Sequence, residues 1–197
     1  MMARQKGQAK TPTRPGRLRI VAGKWRSRLL PIAEYDGLRP TSERVRETLF
    51  NWLATDVIGS HCLDLFAGTG ALGFEALSRG AASATLVEKS PAVAAILSSS
   101  VDALGANGVT IECADAHAFL RRPVDRRYDI VFLDPPFSDD ILEESCRLLH
   151  SNGWLADRAR LYIEQQQKRP VPEFPDGWQI KKVKTAGNVR YMLLCPI

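Results

Sequence analysis

The stretch Asp64-Leu65-Phe66-Ala67-Gly68-Thr69-Gly70-Ala71-Leu72-Gly73 joins a short apolar strand to a helix through a glycine-rich turn. Gly68, Gly70 and Gly73 satisfy the Gly-x-Gly-x-x-Gly spacing. Glycine at such a turn lets the backbone approach a ligand closely, and the helix that follows presents its N-terminal amides to it. The pattern points to a nucleoside-containing ligand. Taken alone it fits a dinucleotide fold equally well, or a tight turn before a helix.

Working outward, the same rhythm continues. Cys62 to Phe66, Ala84 to Glu88, Val109 to Cys113, Tyr128 to Asp134 and Leu161 to Glu164 read as strands. Helices are predicted over Ala71 to Arg79, Ala92 to Leu104, Ala116 to Arg121 and Asp140 to Leu149. Gln179 to Lys184 and Val189 to Cys195 flank an Ala-Gly-Asn turn and read as a terminal hairpin. Strands alternating with helices imply parallel pairing with crossover helices on both faces. The uninterrupted apolar run Ile130 to Leu133 suits burial on both faces. The expected fold class is therefore α/β, a doubly wound and mostly parallel sheet of seven strands with a C-terminal antiparallel hairpin. Such sheets bind ligands beyond the carboxyl ends of their strands.

Two further strand ends carry chemistry. Glu88 closes the second strand twenty positions after Gly68, where a carboxylate accepts both hydrogen bonds of a ribose diol. The fourth strand ends Leu133-Asp134-Pro135-Pro136-Phe137. Two prolines stop a central strand and stiffen the turn, and they contribute carbonyls but no N–H groups. Asp134 adds two acceptor oxygens and Phe137 a flat apolar plate. Acceptors beside an aromatic ring suit a planar base with an exocyclic amino group, stacked for about 1–3 kcal/mol.

Ahead of the sheet, Gly37 to Pro40 reads as a turn, and Thr41 or Ser42 offers an N-cap. Val45, Leu49, Trp52 and Leu53 then give an amphipathic helix over about residues 42–54. Upstream of it, Leu18 to Pro31 turns at Gly23 and reads as a small hairpin or extended arm. Charge is concentrated there. The 197 residues carry a net charge of +5, yet nine of the 27 basic residues lie in residues 1–28, which hold no acid. The rest has 18 basic against 22 acidic residues. A cationic arm on an acidic body fits a grip on polyphosphate. Arg17, Arg19, Lys24, Arg26 and Arg28 would meet RNA phosphates, with Trp25 packing or stacking. Arg39, Thr41 and Arg44 would extend that surface. Arg46 would extend it too, and each of Arg39, Arg44 and Arg46 would as readily pair with Glu43 or Glu47. The organisation expected is a flexible basic tail over 1–16, an RNA-binding arm over 17–40 and a catalytic domain over 41–197.

With 45% apolar and 25% charged residues the chain has an ordinary globular composition. No apolar run reaches the roughly 20 residues of a membrane span. The polar, basic start is unlike a secretory signal. Cys62, Cys113, Cys146 and Cys195 and the three histidines are scattered without metal-ligand spacing, so no metal is expected.

The Asp64 to Gly73 segment resembles the S-adenosylmethionine loop of Rossmann-like class I methyltransferases, and Asp134-Pro135-Pro136-Phe137 resembles the acceptor motif of their amino-methylating members. The likeness extends to Arg19-Ile20-Val21-Ala22-Gly23-Lys24-Trp25-Arg26-Ser27-Arg28, to Leu38-Arg39-Pro40-Thr41, to Arg44 through Leu53 and to Gly153-Trp154-Leu155. These stretches are similar to the RsmD family. Ala22 and Ser27 stand where that family usually has glycine. The resemblance implies methylation of guanine N2 at position 966 of 16S ribosomal RNA, with S-adenosylmethionine as cofactor. It implies that Asp64, Phe66, Ala67, Gly68 and Gly70 hold the methionine portion, that Glu88 holds the ribose, and that Asp115 and Ala116 flank the adenine. Asp134, Pro135 and Phe137 would take the flipped guanine. The partner implied is 16S rRNA within the 30S subunit or its assembly intermediate, met by a cytoplasmic monomer with no membrane partner.

Three alternatives remain open on the sequence. One is an amino-methyltransferase acting on adenine N6 or a protein glutamine amide. Another is a nicotinamide-dependent oxidoreductase, which leaves the Asp-Pro-Pro-Phe turn unexplained. The third is a non-catalytic RNA-binding protein, which rests on the arm alone.

Overall fold

Leu18 and Leu30 face inward from two three-residue strands, β1 (Arg17–Arg19) and β2 (Leu29–Pro31), which pair antiparallel as the arm. The computed structural model describes residues 16–32, 41–136 and 141–197. Arg39 and Phe137, and the tail through residue 15, lie outside the described residues. Helix α1 (Glu43–Trp52) follows, capped by the Ser42 hydroxyl, which accepts from the Val45 amide. The remaining strands are β3 (His61–Asp64), β4 (Ser83–Glu88), β5 (Val109–Cys113), β6 (Tyr128–Leu133), β7 (Leu155–Gln166), β8 (Trp178–Ala186) and β9 (Val189–Pro196). Between them run α2 (Ala71–Ser78), α3 (Pro91–Leu104), α4 (Ala116–Leu120) and α5 (Ile141–Ser151).

The seven strands β3 to β9 form one sheet in the order β5-β4-β3-β6-β7-β9-β8. Strands β3 to β7 are parallel, and β9 runs antiparallel to both β7 and β8. The chain winds from β3 outward through β4 and β5, then crosses back to β6 on the other side of β3. Ligands settle at such a reversal of strand order, here between β3 and β6. The sheet and its terminal hairpin agree with the sequence reading. Strand β7 is much longer than the expected four residues. Its first half is polar at Asp157 and Arg158, and a register shift opposite Tyr128 and Ile130 masks its alternation.

Alternating side chains build two cores. On one face, Cys62, Leu86, Phe132, Tyr162 and Leu193 pack under α1, α2 and α3. On the other, Leu63, Val87, Val131, Leu133 and Ile163 pack under α4 and α5. The arm belongs to the first core. Leu18, Ile20, Trp25 and Leu30 are buried together with Val45, Phe50 and Leu77. The tight turn of the arm brings Gly23 against the Ser78 carbonyl with φ +83°, leaving no room for a Cβ. Ser27 has φ +68° and is the one non-glycine residue with positive φ among the described residues. This is one of the two positions where the resembling family favours glycine.

Candidate active site

Asp64 ends β3 wholly buried, and its Oδ2 accepts from the Gly73 amide at 3.0 Å. It thereby caps the first turn of α2, whose own N-cap, Gly70, has no side chain to do so. Gly70 has φ +73°, and a Cβ there would run into Phe74 and Leu97. A Cβ on Gly73 would strike the Leu86 side chain, so helix and strand pack closely at the third glycine. Between them the loop is pinned to both neighbouring strands. The Leu65 amide donates to the Phe132 carbonyl at 3.1 Å and the Ala67 amide to Val87 at 2.9 Å. Phe66 is half-buried beside them.

Glu88 ends β4 in the same row. Its Oε2 accepts from the Gly68 amide at 3.1 Å and its Oε1 from the Ser90 amide at 2.7 Å. Two amides fix the carboxylate, and each oxygen keeps a lone pair for a further donor. Asp115 caps α4, accepting from the Ala118 amide at 3.0 Å, and Ala116 is buried behind it. The residues expected to hold a nucleoside therefore lie along the carboxyl ends of β3, β4 and β5.

Asp134 follows β6 directly. Pairing of Asp64 with Phe132 sets it beside Asp64 on the face covered by α1. Its Oδ2 accepts from the Thr41 hydroxyl at 3.0 Å. Pro135 is buried next to it. The glycine turn and the acceptor turn thus share one crevice. Crowded acids and burial leave their mark. Burial first, then Asp134 and Glu88, push the Asp64 carboxyl up to about 7. Burial pushes Asp134 up to about 6, opposed by the Thr41 hydrogen bond.

Sequence reasoning passed over Glu164. It lies two residues before the end of β7 on the same face and accepts from the Tyr162 hydroxyl at 2.8 Å. Burial, then Asp134, push it up to about 8. The signal was present: four apolar strands each end in an acid, at Asp64, Glu88, Asp134 and Glu164.

The basic residues of the arm, Arg17, Arg19, Lys24, Arg26 and Arg28, are all exposed, while its tryptophan is not. Trp25 is only 8% exposed, with Lys24 Nζ lying 4.1 Å from its ring centroid. Packing, rather than stacking on RNA, is its role, because its indole fills the core under the arm. Arg28 donates to the Ala103 carbonyl at 2.7 Å near the end of α3. Arg19 approaches Glu43 at 3.7 Å. Arg17, Arg26 and Arg44 are exposed. Thr41, expected at the RNA surface, lies instead against Asp134. Arg46 pairs with neither Glu43 nor Glu47. It is 1% exposed and reaches Glu75 at 3.2 Å, the Thr41 carbonyl at 3.2 Å and the Arg19 carbonyl at 2.8 Å. Glu75, fully buried, also accepts from the Val21 and Ala22 amides and from Arg79. Its lone charge in an otherwise apolar helix was the clue to that role.

Comparison with known proteins places this geometry. A family model described as Conserved hypothetical protein 95 matches residues 18–195. The ribosomal RNA small subunit methyltransferase D of Escherichia coli (strain K12) is 47% identical over 178 residues, covering 90% of this chain and 89% of that protein. The Haemophilus influenzae protein of the same name is 43% identical, covering 93% and 96%. The solved structure of Escherichia coli yhhF superposes with a TM-score of 0.86 at 44% identity, covering 92% of this chain and 98% of that one. Fold and site together define a Rossmann-like methyltransferase, an enzyme. Within that class, the chain belongs to the ribosomal RNA small subunit methyltransferase D family.

Proposed function

We propose that this enzyme transfers the methyl group of S-adenosylmethionine to the exocyclic N2 of a guanine in 16S ribosomal RNA. Its substrate is the 30S subunit or an assembly intermediate, and it works as a cytoplasmic monomer. The single observation that carries the reading is the placement of Asp134 and Pro135 across the β3–β6 reversal from the glycine loop, in a chain of this family. The acidic row suits the cofactor, whose sulfonium and ammonium groups are cationic. When bound, the sulfonium supplies an electrophilic methyl group. No helix of the described residues is long and apolar enough to cross a membrane.

The residues divide the work. Asp64 and the loop from Phe66 to Gly70 bind the methionine portion, Glu88 the ribose hydroxyls, and Asp115 with Ala116 the adenine. Asp134 and the Pro135 carbonyl accept the two hydrogens of the guanine amino group. Those bonds draw the nitrogen toward a pyramidal shape and return its lone pair from the ring. Holding that nitrogen in line with the methyl–sulfur bond supplies much of the remaining acceleration. The target base leaves its stack to reach the turn. Arg17, Arg26 and Arg44 supply exposed positive charge for phosphates, and Phe137 the stacking plate.

Asp134→Ala tests this reading. Labelled-methyl transfer to 30S subunits should fall by at least about 100-fold, while calorimetry shows S-adenosylhomocysteine binding nearly as before. Retained transfer would remove Asp134 from the reaction. Transfer to DNA or to protein, and not to 30S subunits, would change the substrate class.

A further inference from the structure

We infer that strand β8 is a second phosphate grip on the RNA: Lys182 and Lys184, with Arg44 near them, hold the nucleic acid on the side of the crevice opposite the arm. The inference deepens the proposed function and rests on it for the identity of the polyanion.

The sequence carries the first sign. Outside residues 1–28 the chain is acidic on balance, yet residues 177–197 hold three lysines, one arginine and no acid. The arginine, Arg190, donates to the Gln167 and Arg169 carbonyls. The lysines, Lys181, Lys182 and Lys184, all fall in β8, an edge strand of the sheet. All three are exposed, and none forms an ion pair among the described residues.

Register sets two of them toward the crevice. Leu133 pairs with Ile163, so Asp134 and Glu164 follow side by side. Glu164 pairs with Tyr191, and Tyr191 with Lys184. These four residues cross the sheet in one row at its carboxyl edge. Three strand spacings of about 4.8 Å put Lys184 about 14 Å from Asp134. Directly opposed residues of an antiparallel pair share a face. Lys184 opposite Tyr191 and Lys182 opposite Leu193 therefore lie on the face covered by α1, whose core includes Tyr191 and Leu193.

Helix α1 divides the positive charge. Trp52 stacks on Tyr191 with ring centroids 5.4 Å apart. Arg44 and Thr48 precede Trp52 at four-residue steps, so all three line the flank turned to β9 and β8. The other flank meets the arm, where Glu43 approaches Arg19. Thr41, just ahead of the helix, bonds Asp134 between the two flanks. The crevice thus has the arm on one hand and Arg44 with the β8 lysines on the other. A strand that gives up one base to the crevice must run out on both sides of it, and phosphate contacts on both sides fix its register.

Lysines on an edge strand also keep foreign strands from pairing there. That role needs charge anywhere along the edge. Here the charge is sorted by face: Ile180 and Val183, 39% and 54% exposed, oppose Leu194 and Met192 on the far face. A guarded edge does not require Lys182 and Lys184 to share the face of the crevice, whereas a phosphate strand crossing that face does.

Two double variants of the full chain, each losing two positive charges, test this. In Lys182→Gln/Lys184→Gln the slope of log affinity for 30S subunits against log salt should fall by about 1.4, at about 0.7 for each single-strand phosphate released. The KM for subunits should rise on the order of 10-fold. Arg127→Gln/Arg158→Gln removes exposed cations at the amino ends of β6 and β7 and should keep the wild-type slope. Lys184→p-benzoylphenylalanine should crosslink to ribosomal RNA on one side of the methylated guanine, and Arg26→p-benzoylphenylalanine on the other. S-adenosylhomocysteine binding by each variant verifies its fold. An unchanged slope in the β8 variant, an equal fall in the control, or self-association as the sole defect would overturn the inference while the proposed function stands. A wild type that methylates DNA or protein and no small-subunit RNA would overturn the proposed function, and this inference with it.

Discussion

Glu88 is held by amides 2 and 20 positions away and Asp115 by one 3 positions away, whereas Asp134 is held by a hydroxyl 93 positions up the chain. The two sides of the crevice are thus assembled differently. On the β3–β4–β5 side, each strand end, turn and helix start closes its own hydrogen bonds. On the β6–β7 side Asp134 depends on Thr41, whose carbonyl is held by Arg46, which in turn is locked to Glu75 and to the backbone of the arm. The cofactor side is a local structure that the sheet merely aligns. The substrate side exists only once arm, α1, α2 and sheet have come together. The arm that carries exposed positive charge is also the arm that completes the corner around Asp134.

Breaking the long-range side should cost most. Glu75→Ala strands the buried Arg46 guanidinium and the Val21 and Ala22 amides. Loss of one partner from a buried pair costs about 3–5 kcal/mol, so urea denaturation should show a destabilisation of that size. A loss below about 1 kcal/mol would mean that the arm docks by apolar packing alone. The exposed charges should behave otherwise. Replacing Arg17, Arg26 and Arg44 together with Gln should leave stability within about 0.5 kcal/mol. It should flatten the salt dependence of RNA binding by a slope of about 0.7–0.9 for each phosphate that is no longer neutralised.

A smaller effect comes from the crowded acids. Asp64, Asp134 and Glu164 all lie above their ordinary ranges in the folded protein. The native state therefore binds protons more tightly than the unfolded chain, and stability falls as pH rises from the ordinary carboxylate range through the folded values. Thermal melts of the ligand-free protein should move upward between about pH 8.5 and about pH 6. Binding of a cationic cofactor favours the ionised acids and should release protons, seen as a buffer-dependent heat in calorimetry. The smallest effect is local to the arm. Ser27→Gly relieves a left-handed backbone and should stabilise by about 0.5–1 kcal/mol, read as a modest rise in melting temperature.

Most of the sheet, the glycine turn and three of the four strand-end acids could be read directly, because alternation, capping and turn chemistry act over a few residues. What escaped was long-range. Glu164 looked like an ordinary strand end until β7 was set beside β6. Trp25 could either pack or stack until the arm folded against α2 and buried it. Arg46 sits between Glu43 and Glu47 in sequence, and only the packing of α1 on α2 gives it Glu75 instead.

By itself the sequence determined the doubly wound sheet, the order of its strands and helices, and the acids and prolines that end the strands, since each depends on periodicity and on the intrinsic geometry of glycine and proline. The tertiary structure alone decided which polar groups became partners. It turned Thr41 toward Asp134, set Glu164 beside it and buried Arg46 on Glu75, because a polar group taken from water must find its complement among whatever groups the packing brings within reach.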